Sequence, residues 1–496
     1  MSTCPQRRAH RKIHLSHFKP IIRAYALGYL SVTGPKLFAL LRVLTRKDTS
    51  IEAKARLLLH TLRASTQINR FPASCAIIVG GATLLPRIAG SILSSLRRTL
   101  NLNGTYGRPD LHTRSIRIVC TFLSALLAFT LLNHDDSWSR KRASSQGLSQ
   151  SPESPESLDP PNQHHLPTQP PPRLAGKTID FTLFTTTRAL SVLVITLWTR
   201  TQSSRYHPTH TNPQFAKFLT QAVDPAIFSL SAALIMHAWF YHPHRLPRSY
   251  NHWIHQAANI DPRFLQALRL ARSGVWQYGV NNSTTNHLLR GVAADLHLPE
   301  SYGDPALTMP VKCELIHSGC GPSCELHALW RFWRAFLLGL KTYLPLQLAL
   351  LLRLGVLRPL RPRTLLFSLS SAARSSAFLG TFISSFYYGV CLSRTRLGPL
   401  LFPPTNKYMA ISPQTWDAGL CILVACLLCG SSILVEPAAR RGEMALFVAP
   451  RALATLLPRV YDGRKRWREA VVFAGGVVVV LDAVLAGKGR RVRGAG

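Results

Sequence analysis

The densest run of reactive side chains is VKCELIHSGCGPSCELH, which places Cys313, His317, Cys320, Cys324 and His327 within fifteen residues. Thiolate sulfur and neutral imidazole nitrogen are the donors that zinc takes in structural sites. The Cys320–Cys324 spacing suits one half of such a site, with His317 or His327 to add to the shell. The paired CxxC knuckles of a zinc module are missing, and a single short run lacks the second half that closes a shell. Three readings therefore stand for Cys313, His317 and Cys324: thiols that only pack, ligands of a metal, or a disulfide pair in an oxidising compartment. The metal is left unassigned and no cofactor is expected.

A second set of chemical interest is cationic. Arg87, Arg188 and Lys341 each interrupt an otherwise apolar stretch, Phe71 to Leu96, Ile179 to Thr199 and Ala335 to Leu352. A cation at the centre of a membrane helix costs about 2.5–3.5 kcal/mol on insertion scales, so these three either face a polar path and attract an anion, or lie near span ends and snorkel. No Walker loop, GxGxxG, HExxH or GxSxG occurs, and the paired carboxylates Asp135 and Asp136 adjoin a low-complexity tract. No catalytic residue is expected and the chain is read as non-enzymatic.

The elements that must carry these residues are helices. Pro225 to His244, Ser375 to Ser393 and Ala418 to Val435 are free of Asp, Glu, Lys and Arg, and a helix needs about 20 mostly apolar residues to cross ~30 Å of hydrocarbon. With the three interrupted stretches, and with Ile118 to Asn133 and Ala470 to Gly487, the last carrying Asp482, the expected count is six to nine spans, eight for preference. Small residues recur inside them, at Gly80, Gly81 and Ala82, at Ser384 and Ser385, and at Gly475 and Gly476, either for close helix approach or as ordinary membrane-helix composition. Trp239, Phe240, Tyr241 and Tyr250, with His237, His242 and His244, read as an aromatic belt at a membrane interface.

Composition agrees. Lys and Arg number 59 against 22 Asp and Glu, a net charge of +37, yet only 16% of residues are charged and the mean hydropathy is +0.09. Soluble domains carry roughly 25% charged residues, so the deficit, which lies in the acids, fits apolar spans with basic loops and excludes a wholly disordered chain. The basic residues are spread along loops without interleaved aromatics, so no nucleic-acid partner is expected. The partner expected on these grounds is a lipid bilayer.

The division expected is a basic amino-terminal tail over 1–50, first membrane helices over 51–133, a disordered Ser/Pro/Gln linker over 134–178, membrane helices with a polar amphipathic segment over 179–310, the Cys-motif helical domain over 311–488 and a basic tail over 489–496. Residues 1–47 hold no acid, which suits either a mitochondrial targeting segment or an ordinary basic tail, with Pro20 and Pro35 set to interrupt a helix. The first fifteen residues lack the apolar core of a secretory signal.

The carboxyl-terminal half resembles the transmembrane protein 135 family. The residues that carry the likeness are Cys313, His317 and Cys324 in CELIHSGCGPSC, TYLPL (Thr342 to Leu346), and an SSAFLGTF span (Ser375 to Phe382) that ends in Cys391 and Arg394. A small-residue span ending at Glu436, RRGE (Arg440 to Glu443) and LFVAPRALATL (Leu446 to Leu456) follow in the same order. The amino-terminal half is similar to a divergent second repeat of that family, through DFTLFTTTRALSVLV (Asp180 to Val194) and WFYHPHRLPRSYNHWI (Trp239 to Ile254). Cys320 stands outside the family pattern. The resemblance implies an all-α polytopic protein of two divergent helical repeats, distantly similar to the inner-membrane translocase channel and peroxisomal membrane protein superfamily. It further implies a peroxisomal or mitochondrial membrane, other organelle membrane proteins as partners, and a part in organelle maintenance or lipid homeostasis. A solute or lipid transporter, and a membrane-bound metalloenzyme using the Cys/His cluster, are the alternatives.

Overall fold

Backbone N–H and C=O groups in long apolar runs have no water to pair with in lipid, and helices satisfy them internally. The computed structural model is helical almost throughout and describes residues 6–44, 51–99, 109–134, 174–204, 213–355, 362–403 and 410–488. Of the linker expected over 134–178, residues 135–173, with Asp135 and Asp136, lie outside the described residues, as does the tail over 489–496, whereas 174–178 are described and begin with a short strand.

In chain order the helices are α1 (Gln6–Leu44), α2 (Ile51–Ser65), α3 (Phe71–Thr83), α4 (Leu85–Thr99), α5 (Pro109–Leu132) and α6 (Ile179–Ser204). There follow α7 (Pro213–Tyr241), α8 (Arg248–Ala258), α9 (Pro262–Arg272), α10 (Ser283–Asp295) and the single turn α11 (Cys313–Ile316). The last are α12 (Cys324–Gly355), α13 (Pro362–Cys391), α14 (Cys421–Cys429), α15 (Ala438–Leu456) and α16 (Arg466–Ala483).

Among the described residues, seven helical stretches are long and apolar enough to cross a membrane: Phe71–Leu96, Thr113–Leu132, Ile179–Leu197, Gln221–Tyr241, Pro362–Leu401, Pro413–Val435 and Gly463–Ala486. Each coincides with a stretch that the sequence marks out, and seven falls within six to nine. The remaining candidate, Ala335 to Leu352, is part of α12, which continues through Lys341 and Pro345. Only 11% of the apolar window in Phe71–Leu96 is buried, so most of its side chains face outward. Leu366, Phe367, Leu123 and Leu127 are exposed on other spans, the arrangement that a lipid solvent favours.

The chain forms two units. The first comprises residues 1–206 and 459–496, so α16 packs with α5 and α6 instead of with the helices that precede it in sequence. Its core joins Ala125 and Phe129 of α5 to Phe473, Ala474 and Val477 of α16. The short strands β1 (Leu174–Ala175) and β2 (Tyr461–Asp462) pair antiparallel, with Ala175 opposite Tyr461. Asp482, which interrupts the last apolar stretch, is neutralised twice, by Arg114 at 2.7 Å and by Arg117 at 2.8 Å. The expectation that Pro20 and Pro35 break the amino-terminal segment is corrected: α1 runs through both. Packing outweighs the lost hydrogen bonds, with Thr33 and Leu40 buried and Tyr29 donating to the Leu62 carbonyl.

Close helix approach is visible at one glycine of each pair. A Cβ added to Gly81 would fall 2.2 Å from the Ser124 Cβ of α5 and 3.3 Å from the Cys120 carbonyl oxygen, whereas one on Gly475 would meet nothing within 4 Å. Gly81→Ala should therefore force α3 and α5 apart and cost about 1–3 kcal/mol, the usual penalty of overpacking. Gly475→Ala should cost nothing and gain a few tenths from helix propensity. Thermal unfolding of the two purified variants checks the pair.

The second unit spans residues 207–458. Its main core gathers Trp239, Phe240, Phe386, Tyr387, Cys421, Ile422, Ala425 and Cys426 from α7, α13 and the 413–435 stretch. The belt reading of Trp239 and Phe240 is thereby corrected. Both are turned inward, Phe240 stacked on Phe386 with centroids 5.3 Å apart and Trp239 edge-on to Phe240. A smaller core under α9, α10 and α11 holds Ala267, Ala271, Leu289, Val292, Val311 and Leu315.

Candidate functional site

Cys313 opens the single turn α11, and His317 closes it by donating its backbone N–H to the Cys313 carbonyl at 2.8 Å. The chain then reverses through Ser318, Gly319 and Gly321, whose φ values are 53°, 84° and 84°. Glycine meets that left-handed geometry without a Cβ penalty, which lets the loop fold back onto the imidazole. Cys324 starts α12, and the paired helix α13 brings its last residue, Cys391, to the same place.

One donor atom from each of Cys313, His317, Cys324 and Cys391 lies within 4.8 Å of the other three. The His317 Nε2 stands 3.4 Å from the Cys391 sulfur, and its Nδ1 stands 2.7 Å from the Gly321 carbonyl oxygen. That oxygen can only accept, so Nδ1 carries a proton and Nε2 is the nitrogen that faces the Cys391 sulfur. The His317 ring is fully buried and stacked on His327, centroids 4.5 Å apart. His327 receives a hydrogen bond from Arg331 at 3.4 Å, and burial, with the Arg331 charge behind it, pulls its pKa down to about 3, so the ring stays neutral. The Cys313 thiol is pulled down to about 5, foremost by its hydrogen bond with Cys391 and then by the Arg394 charge, which together outweigh its burial. Burial and the Cys313 charge push Cys324 the other way. Such a set can hold a borderline metal ion, oxidise to one disulfide, or remain as thiols.

The structure brings Cys313, His317 and Cys324 together, and of the two histidines His317 faces the sulfurs while His327 stacks behind it. The spacing argument that paired Cys320 with Cys324 is corrected: Cys320 is not in the group. The donor that sequence reasoning missed as a site residue is Cys391, 67 positions beyond Cys324; its only signal was a cysteine at the end of an apolar span.

A buried ion pair anchors the approach to this cluster. Arg394 pairs with Asp417 through Nε and Oδ1, and through Nη2 and Oδ2 at 2.8 Å, with both side chains almost wholly buried. Tyr278 donates its hydroxyl to Asp417 and accepts the Val311 N–H at 2.9 Å, while the Val311 carbonyl accepts from Arg394 at 3.1 Å. Burial, then the Asp417 charge, push the Tyr278 hydroxyl well above the usual phenol range, so it remains a donor. Val311 lies two residues before Cys313, so the pair fixes where the cluster begins.

The three cations do not form one constellation. Arg87 lines a cleft of about 760 Å³ in the first unit with Ser91, Ser94, Thr113 and Arg117. Arg188 lies over the Phe184 ring, 5.3 Å from its centroid. Lys341 lines a different cavity, of about 280 Å³, in the second unit. Arg87 and Lys341 are exposed.

The second unit also holds an apolar cavity of about 410 Å³ between α7, α8, α13 and α15. Its walls include Phe228, Met236, Ile254, Phe378, Phe382 and Phe447, with Arg451 as the one charged group among the described lining residues. Arg451 lies 3.9 Å from the Phe447 centroid and donates to the Phe447 carbonyl of its own helix. Comparison of the chain with family models, curated proteins and solved structures finds no match.

Proposed function

We propose that this chain is a multi-pass, non-enzymatic protein of the peroxisomal or mitochondrial membrane that acts in organelle maintenance or lipid homeostasis by binding a lipid chain in the second unit. The observation that carries the lipid reading is the apolar cavity lined by α7, α8, α13 and α15, whose volume lies within the range of ligand pockets and whose single cation suits an anionic head group. Seven apolar helices support membrane residence. The motif order from Cys313 to Leu456 supports the organelle, and the stretches Asp180 to Val194 and Trp239 to Ile254 support the two-repeat descent, both as resemblance alone. Retention of the full chain in the membrane pellet after alkaline carbonate, and co-localisation with peroxisomal or mitochondrial markers, are the expected results. Release into the supernatant, or residence in another membrane, would sink the corresponding part.

A transporter of anions is the second reading, favoured by the cleft that carries Arg87 and Arg117 beside Ser91, Ser94 and Thr113. Its expectation is anion flux into vesicles reconstituted with the chain, reduced at least about tenfold when Arg87, Arg188 and Lys341 are all replaced by Leu, in keeping with the cost of cations in apolar surroundings. Flux that survives the triple replacement removes this reading and leaves the lipid reading untouched.

A further inference from the structure

We propose that Cys313, His317, Cys324 and Cys391 bind one zinc ion as a closed Cys3His site that ties the 313–324 loop and the start of α12 to the end of α13. Three sulfurs and one imidazole nitrogen are a standard structural zinc shell. With Zn–S near 2.3 Å and Zn–N near 2.0 Å, a tetrahedron sets its S···S edges at about 3.8 Å and its N···S edges at about 3.5 Å. The His317–Cys391 edge is already 3.4 Å, and no donor is farther than 4.8 Å from another. A contraction of at most about 1 Å, within reach of cysteine side-chain rotation, therefore closes the shell.

The surroundings match what such an ion needs. The Gly321 carbonyl holds His317 at Nδ1, the outer contact that orients a metal-bound imidazole and leaves Nε2 for the ion. His327 covers the far face of the ring, and Tyr387 stands edge-on to His327 at 5.3 Å, so the shell is shielded from water on that side. The second half absent from the short sequence run is supplied by Cys391, which explains why four donors from a loop and two helix ends converge. A disulfide would use two of these sulfurs and leave the third sulfur and the imidazole without a purpose. Four protein donors leave no open position, so the site is structural rather than catalytic. Binding displaces the thiol protons to solvent and makes the affinity rise with pH.

The test uses the full chain purified in detergent under reducing conditions without chelators, and reads metal by elemental analysis. One zinc per chain is expected. Cys391→Ser and Cys313→Ser should lose it, Cys320→Ser should keep it, and Cys391→His, which keeps a donor, should restore it even if the serine variants fold poorly. Replacement of zinc by cobalt should give the intense visible absorption of a tetrahedral thiolate site, which is lost in Cys324→Ser. A wild-type chain that holds no stoichiometric zinc and takes up none when it is added would overturn the proposal. So would zinc retained by Cys391→Ser, or a disulfide mapped between any two of the three cysteines in chain isolated with its thiols blocked at lysis. None of these readouts depends on lipid binding, so the lipid reading and the zinc site fail separately.

Discussion

Asp417→Asn is expected to destabilise the second unit by about 3–5 kcal/mol, the cost of leaving a buried charge without its partner. The substitution keeps the side-chain volume and still offers an oxygen to the Tyr278 hydroxyl, so packing is not the term that changes. What changes is the charge opposite Arg394, whose side chain is only 3% exposed and cannot reach water without moving the helix end that carries it. Arg394→Met should cost a similar amount for the converse reason. The double variant Arg394→Met with Asp417→Leu should cost much less than the sum, because an apolar pair of similar volume replaces a buried ion pair at little net penalty. Thermal unfolding in detergent, run as a double-mutant cycle whose single variants are Arg394→Met and Asp417→Leu, measures this directly. The contrasting case is Arg396 with Glu325, a pair whose side chains are 52% and 50% exposed; Glu325→Gln is expected to leave the midpoint unchanged, since solvent screens it. Equal effects in the two pairs would refute the argument from burial.

The same residue shows where the sequence was readable and where it was not. Ala418 to Val435 declared itself as a span because nothing charged interrupts it, and Asp417 stands one position before that run. Its burial depends on Arg394, 23 residues away, and on Tyr278, 139 away, and no local pattern reports such a meeting. Cys391 was hidden for the same reason: one cysteine at the end of an apolar helix looks like any small core residue until α12 and α13 pair and bring it to the 313–324 loop. Trp239 and Phe240 failed differently. A helix that is apolar all round has no polar face to tell which side turns inward, so their placement at a lipid interface was a choice that hydropathy could not make. The prolines of α1 mark the opposite limit, where a local penalty of a few kcal/mol yields to contacts that only the folded unit supplies. Asp482 was legible as an interruption, but its partners Arg114 and Arg117 come from a helix more than 360 positions away.

If the apolar cavity holds a lipid chain, Arg451→Leu should reduce capture of an anionic lipid by roughly ten- to hundredfold, the equivalent of a charge-assisted hydrogen bond of about 1.5–3 kcal/mol. A lipid that moves from the bilayer into an apolar cavity gains almost nothing from the hydrophobic effect, because it leaves one hydrocarbon for another. Selection must then come from packing in the cavity and from the head group. Among the described lining residues Arg451 is the charged one, and it is held by its own helix through the Phe447 carbonyl and ring. Ala257→Trp, which places an indole where α8 lines the cavity, should exclude anionic and neutral chains alike. The two substitutions therefore separate the terms. With the full chain in vesicles, a photoactivatable fatty acid should label wild type and lose most of its yield in both variants, whereas a photoactivatable neutral diacylglycerol should lose it only in Ala257→Trp. Equal labelling of wild type and Ala257→Trp by both probes would mean that lipid contacts the outside of the helices and that the cavity stays empty of it. A loss of both probes in Arg451→Leu would mean that the arginine holds α15 in place rather than a head group, which an accompanying fall in the thermal midpoint would reveal.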